Sequence, residues 1–139
     1  MITDENRTRG FSMVELMIVV VIISILAAIA IPSYRQYVLK GHRSEATRAL
    51  QDLASRQENY YFSNNEYTDN LADLGASGDI AGVYFTVAIP SASSSVYQIT
   101  ATAQGTQTQD GGCTAFTLHR SGAKESTGTA PSATCWGGH

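Results

Sequence analysis

The chain has 139 residues, a formal net charge of −3 at pH 7 and 43% hydrophobic residues. This length fits one globular domain. After Tyr61 the only basic residues are Arg120 and Lys124. The acidic residues of the same region are Glu66, Asp69, Asp73, Asp79, Asp110 and Glu125. Because domains that bind nucleic acid are typically basic, this balance argues against a DNA-binding role.

A long apolar run follows a polar N-terminal segment. Residues 1–10 read MITDENRTRG, and residues 11–31 are apolar apart from Ser12, Glu15 and Ser24. The run is long enough to span a bilayer. A cleavable secretory signal would explain AAIA at residues 27–30, but the run is long for such a signal and an amphipathic segment follows it directly.

Glu15 is the anomaly in this run. A charged side chain costs about 2.5–3.5 kcal/mol at the centre of an inserted helix, and less near its end. An ordinary membrane anchor gives no reason to accept that cost. The carboxylate therefore indicates a function beyond anchoring.

An amphipathic helix is predicted after Pro32. Apolar residues recur at spacings of three and four, with Gln57 as the one polar member of the face. The face consists of Ala46, Ala49, Leu50, Leu53, Ala54, Gln57, Tyr60 and Tyr61. One helix from residue 11 to about residue 62, with a kink at Pro32, is the simplest interpretation.

The rest of the chain predicts a loop followed by a sheet. Residues 63–82 are rich in turn formers. Strands are predicted at 83–89, ended by Pro90, then at 96–104 and 113–120, with a short edge strand in 121–127. Short connections between them favour an antiparallel meander. Four aromatic residues are predicted to form the seam between helix and sheet: Tyr60, Tyr61, Phe62 and Tyr67.

Two cysteines, Cys113 and Cys135, accompany the membrane-targeting segment. An even number in an exported chain favours a disulfide, and two free buried thiols are the alternative. A bridge would close a loop of roughly 20 residues, worth about 3 kcal/mol.

Catalytic and metal-binding patterns are missing from the sequence. The histidines at positions 42, 119 and 139 have no partner at the spacing of zinc ligands. Neither a phosphate-binding loop nor a nucleophile elbow occurs. Asp69, Asp73 and Asp79 suggest calcium only weakly, since no EF-hand pattern is present. We expect no enzyme activity, no metal and no cofactor.

Cleavage between Gly10 and Phe11 would give Glu15 a partner. Glu15 would then be the fifth residue of the mature chain, near a new amino group at Phe11. In a bundle of copies, the amine of one could approach the carboxylate of its neighbour. Two charges 4 Å apart attract by about 4 kcal/mol at an effective dielectric of 20, less desolvation. Such a pair would set the axial register of the helices.

The segment RGFSMVELMIVVVIISILAAIAIPSYRQYV resembles the class III signal and N-terminal helix of type IV pilins. The matching positions are Gly10, Phe11, Glu15, Pro32, Tyr34 and Tyr37. Looser similarity to PilE-type minor pilins extends over the later helix, the loop and the cysteine region. The resemblance implies an α+β pilin fold, with one long N-terminal helix packed by its C-terminal half on a four-stranded antiparallel sheet.

The resemblance also implies how the chain is divided and processed. Prepilin peptidase would cut before Phe11, which would then be N-methylated. The subunit would wait in the inner membrane until the assembly platform moves it into an extracellular filament. The implied segments are a leader at 1–10, a membrane and filament-core helix at 11–32, and a head at 33–139. Within the head they are the helix 33–62, an αβ-loop at 63–82, the sheet 83–126 and a disulfide-closed region at 113–135.

The function expected from the resemblance is that of a minor pilin, a structural subunit for assembly, motility or adhesion. Its partners would be other pilin subunits, and nucleic acid is not expected. A DNA-receptor pilin is one alternative, which would need basic residues such as Arg120 and Lys124. A type II secretion pseudopilin is another, whose common mark is a calcium loop instead of a terminal disulfide.

Overall fold

The computed structural model describes residues 10–137. Residues 1–9, which make up most of the predicted leader, and residues 138–139 lie outside it. Helix α1 spans Met13–Asn64 and a short helix α2 spans Ser132–Cys135. Between them are the strands β1 (Phe85–Ala92), β2 (Tyr97–Ala103), β3 (Ala115–His119) and β4 (Lys124–Thr127). The sheet is an antiparallel meander in the order β1-β2-β3-β4, so the predicted α+β class is confirmed.

The described chain divides into two compact units after Arg35. The first, residues 10–35, contains the apolar part of α1, here called the apolar segment. The second, residues 36–137, contains the rest of α1, the sheet and α2, and is here called the head.

One face of α1 contributes to the core of the head. Its buried residues are Leu39, Ala46, Ala49, Leu50, Leu53 and Gln57, which confirms the predicted face from residue 46 to residue 57. The strands supply the other side through alternate residues, because successive side chains of a strand point to opposite faces. Phe85, Ile99 and Phe116 are fully buried, and the rings of Phe85 and Phe116 meet edge to face at 5.7 Å.

The burial of Gln57 on an apolar face is explained by its hydrogen bonds to the loop that follows the helix. Its amide nitrogen donates to the Thr68 carbonyl at 2.6 Å, and its amide oxygen accepts from the Thr68 backbone N–H at 3.1 Å. A polar residue on an apolar helix face therefore provides both hydrogen bonds for a buried loop backbone, which would otherwise lose its bonds to water. A short 3-10 helix, Leu71–Leu74, follows.

Two local predictions were wrong. Strand β1 does not end at Pro90 but continues to Ala92, with a register irregularity between Ala88 and Ser91. Proline has no N–H to contribute to a ladder, and a bulge is a place where none is needed. Phe62 is not part of the helix–sheet seam, since it is 90% exposed, whereas Tyr67 is buried and stacks on Tyr61 at 4.7 Å.

Candidate functional site

The apolar segment presents its side chains outward. Between Phe11 and Ile31 its large hydrophobic residues are exposed, from 42% at Val19 to 81% at Met13. In length and composition, α1 is sufficient for a membrane span, and no part of its most apolar window is buried within the structure. Burying such a surface is favourable by roughly 25 cal/mol per Å². The segment therefore needs lipid or other apolar surfaces around it.

Glu15 lies in the first turn of α1 and is exposed. Ser12 precedes the helix, and its hydroxyl accepts a hydrogen bond from the Val14 N–H at 3.3 Å. Ser12 and Glu15 have the S-x-x-E spacing of a capping box, but among residues 10–137 no hydrogen bond joins the Glu15 carboxylate to Ser12. A carboxylate also interacts favourably with the partial positive charge of a helix N-terminus. Sequence reasoning did not consider this position at the helix N-terminus, which the serine three residues earlier would have indicated.

The predicted processing residues lie just before this turn. Among residues 10–137, no atom beyond its chain neighbours lies within 4 Å of the position that a Cβ on Gly10 would take, so no contact with this part of the chain requires glycine there. Phe11 is 74% exposed. Pro32 lies inside α1, which continues through it, although its missing N–H removes one helical hydrogen bond. The cleavage site and the kink remain predictions.

Cys113 and Cys135 form a disulfide across a sequence separation of 22 residues. The closed segment also contains a close backbone approach. A Cβ on Gly128 would lie 2.2 Å from the Gly112 carbonyl oxygen, and Gly128 has a φ of 134°. Trp136 completes this region, because its indole N–H donates to the Glu125 carbonyl at 2.9 Å and its ring meets Phe116 edge to face.

A buried polar cluster joins α1 to the connection between β2 and β3. The Asp110 carboxylate accepts from Nε and Nη2 of Arg43 at 2.7 and 2.8 Å, and the two side chains are 3% and 11% exposed. Gln107, fully buried, donates to the Leu39 carbonyl at 3.0 Å. His42 stacks on Tyr84 at 3.6 Å and shares a hydrogen bond with the Gln107 side chain. The sequence does not predict this cluster, because Arg43 and Asp110 are 67 positions apart and no local pattern relates them.

Tyr67 is the centre of a second polar cluster. Its hydroxyl accepts from Nε of Arg120 at 2.7 Å and lies 3.2 Å from a carboxylate oxygen of Glu58. The hydrogen bond to Tyr67 raises the pKa of the Arg120 guanidinium above its ordinary value. Burial, with the nearby Glu58 charge, raises the pKa of Tyr97 to about 12. Arg120 is exposed, but its Nε is already bound to Tyr67, which makes it a poor candidate for contact with a ligand.

The acidic residues of the αβ-loop, residues 63–82, do not form a metal site within the described structure. Among residues 10–137, no group of three or more His, Cys, Asp or Glu side chains could hold a metal ion. The Asp73 carboxylate instead accepts from the Thr68 hydroxyl at 2.8 Å and from the Asn70 amide at 3.1 Å. These hydrogen bonds stabilise the loop, as do the hydrogen bonds that Gln57 makes to it from α1.

Two family models match the chain. Residues 6–31 match the prokaryotic N-terminal methylation motif, and residues 32–117 match a family described as type IV minor pilin ComP, DNA uptake sequence receptor. The second match alone covers more than half of the chain. It ends before Lys124 and Trp136.

Curated relatives are similar over half of the chain or more. The type IV major pilin protein PilA of Myxococcus xanthus is 42% identical over 69 residues, which are 50% of this chain and 31% of that protein. The fimbrial protein EcpC of Eikenella corrodens is 36% identical over 98 residues, 70% of this chain and 64% of the relative. The chain thus spans less than two thirds of either relative's length.

The wide pilus major component PilA4 of Thermus thermophilus is 38% identical over 92 residues, 64% of this chain and 70% of that protein. These relatives are named as pilins and fimbrial proteins, which are structural proteins, so the expectation that the chain is not an enzyme is confirmed. The matched models, the relatives and the helix-on-sheet fold agree: the chain belongs to the type IV pilin family.

Proposed function

We propose that the protein is a structural subunit of a type IV pilus. Its precursor is held in the inner membrane by the apolar segment, is cut between Gly10 and Phe11, and then enters an extracellular filament. The exposed apolar surface between Phe11 and Ile31 carries this proposal, because only lipid or neighbouring helices can cover it. Exchange of lipid for helix contacts is energetically mild, since both are apolar.

Gly10 supports the processing step. Within the part of the chain that the structure describes, a side chain at this position would meet open space, so packing there does not need glycine. A requirement for the smallest residue is then best explained by an external protein such as prepilin peptidase. The match of residues 6–31 to the methylation motif supports N-methylation of Phe11.

Glu15 would act in assembly by pairing with the Phe11 amine of a neighbouring subunit. Glu15 is exposed in the first turn of α1. Cleavage after Gly10 would place the new N-terminus, Phe11, close to this turn. A buried charge pair of this kind fixes register more than it adds stability. Stabilisation of the helix N-terminus, through the dipole or a capping box with Ser12, is the competing explanation of the same carboxylate.

Substitution to glutamine separates the two explanations. Glu15→Gln keeps the hydrogen-bond acceptor of the capping box and removes the charge, whereas Glu15→Val removes both. We expect both variants to insert into the membrane and to be cleaved, and both to be depleted in sheared filaments at least tenfold, about 1.4 kcal/mol per subunit. Mass spectrometry of the sheared fraction measures this depletion and the state of the N-terminus.

The same experiment can overturn the proposal. If Glu15→Gln enters filaments normally and only Glu15→Val fails, the carboxylate is a helix cap and the charge pair is wrong. If the wild-type chain is absent from sheared filaments, or begins at Met1 there, the role as a pilus subunit fails.

Within the pilus we propose the role of a minor pilin. The description of the family model matched by residues 32–117 supports it, while two of the relatives above are named as major components. Abundance is the deciding property. Quantitative mass spectrometry of sheared filaments should find this chain well below the most abundant pilin, and a near-equal amount would contradict the proposal.

A second candidate function is reception of DNA, because the matched family is described as a DNA uptake sequence receptor. The acidic balance after Tyr61 opposes it. A binding surface would have to lie where basic side chains are free of internal partners. Salt-dependent binding of labelled DNA by the full chain is the test.

A further inference from the structure

A groove in the head lies between the early turns of its helix and the C-terminal segment. It has a volume of about 470 Å³ and is lined by residues that include Lys40, Arg43 and Thr47 on α1, and Thr134, Trp136 and Gly137 on the other side. Of these, Lys40, Thr134 and Gly137 are exposed.

The groove carries positive charge that is not neutralised within the described structure. Arg43 is paired with Asp110, so it adds no net charge. Lys40 has no ion pair among residues 10–137, and none of the described lining residues is acidic. Lys124 does not line the groove, but it is exposed and its Nζ lies 5.4 Å from the centroid of the ring of Trp136, which does.

Two of the other arginines of the head are bound within it, and a third lies beside acidic residues. Arg56 is bound to Asp52 and to two backbone carbonyls, and Arg120 is bound to Tyr67. Arg48 is exposed but lines a different groove, which also contains Glu45 and Asp52. The stretch from residue 57 to residue 119 has no lysine or arginine. A polyanion would therefore be repelled by most of the head and attracted to the groove of Lys40 and Trp136.

We propose that this groove binds the phosphate backbone of DNA, with Lys40 and Lys124 each contacting a phosphate and Trp136 forming the wall beside them. The proposal rests on the second candidate function and names its surface. Exposed hydroxyls such as that of Thr134 can donate further hydrogen bonds to phosphate oxygens. With two lysine contacts, the logarithm of the binding constant should fall with that of the salt concentration at a slope near −1.8.

Trp136 makes the proposal directly testable, since it is the single tryptophan of the chain. The full chain in neutral detergent micelles is titrated with a mixed-sequence duplex of roughly 24 base pairs, labelled for anisotropy and unlabelled for tryptophan fluorescence. Each of Lys40→Gln and Lys124→Gln should weaken binding roughly tenfold at about 50 mM salt and reduce the salt slope by about 1. Arg48→Gln is the matched control and should change neither quantity.

The outcomes distinguish the surface from the function. A fluorescence change that saturates with the anisotropy, and that both lysine substitutions weaken, supports the groove. Binding that leaves Trp136 fluorescence and both lysine variants unchanged overturns the groove while DNA reception stands. No binding at low salt overturns both. Depletion of Lys40→Gln from filaments with unchanged DNA binding would make the groove a contact between pilins, which also overturns the proposal.

Discussion

The apolar segment and the head are stabilised by opposite means, although one helix runs through both. In the apolar segment, large hydrophobic side chains such as Ile22 are more than half exposed. In the head, the same helix buries Leu50 and Leu53 completely against a sheet. The helix α1 thus has the same conformation in both units, and only the second unit has an internal core.

This difference shows that two parts of one helix can depend on different surroundings, one outside the molecule and one inside it. Residues 10–35 have no buried large side chain among them and depend on what surrounds the molecule. Residues 36–137 supply their own partners: a core, two polar clusters and a disulfide. Substitutions in the head should therefore affect unfolding, and substitutions in the apolar segment should affect insertion and assembly.

Gly128→Ala should have the largest effect on unfolding. The new Cβ would lie 2.2 Å from the Gly112 carbonyl oxygen, and since the backbone fixes the position of both atoms, no side-chain rotation can relieve the clash. We expect a loss of about 4 kcal/mol or more, enough to unfold many domains. Thermal unfolding of the full chain in micelles measures it. Gly111→Ala is the control, because its Cβ would meet open space; equal stabilities of the two variants would contradict the close approach.

Removal of one partner of the buried ion pair should have the second largest effect on the free energy of unfolding. Asp110→Ala leaves Arg43, 11% exposed, without its two hydrogen bonds, and should cost about 3–5 kcal/mol. The double variant Asp110→Leu with Arg43→Met should be more stable than Asp110→Ala, since no unpaired charge remains. Asp52→Ala breaks an exposed pair and should cost less than about 1 kcal/mol. A double variant as unstable as the single one would show that the pair itself stabilises the head.

A matched pair of truncations tests the comparison of the two units directly. Leu53→Ala, in the core, should lower the free energy of unfolding of the head by about 2–5 kcal/mol. Ile22→Ala, at a side chain that is 51% exposed, should leave it unchanged. Chemical denaturation of the full chain in micelles, followed by Trp136 fluorescence, measures both. A destabilised head in Ile22→Ala would mean that the units do not unfold independently.

The smallest expected effect is a pH dependence that only the head should show. Tyr97 has a pKa of about 12 in the folded chain, against an ordinary value of 10.0. Between these pH values the unfolded chain loses the proton and the folded chain keeps it. The free energy of unfolding should therefore decrease as pH rises from 10 to 12. Tyr97→Phe should reduce this decrease, and Tyr34→Phe, at an exposed tyrosine of the apolar segment, should not. Identical pH profiles for wild type and Tyr97→Phe would refute the prediction.

The predictable parts of the fold are those with a strong local period. The buried face of α1 from Ala46 to Gln57 could be predicted because apolar residues repeat at helical spacing. Strand ends were less predictable, since Pro90 normally ends a strand but is accommodated here at a bulge. Phe62 was misplaced because hydrophobicity favours burial only when a partner surface is present, and none covers it within the described chain.

The amino-acid sequence by itself determined the two units, the helix, the order of the strands and the family, because these depend on composition, periodicity and a short motif. Tertiary structure alone decided which polar residues meet. Arg43 and Asp110 are far apart in the chain, as are Lys40 and Trp136, and no local pattern relates them. Their proximity depends on how the sheet and the C-terminal segment pack against α1, which is set by the whole core. The charge of the groove therefore could not be read from the acidic balance of the sequence.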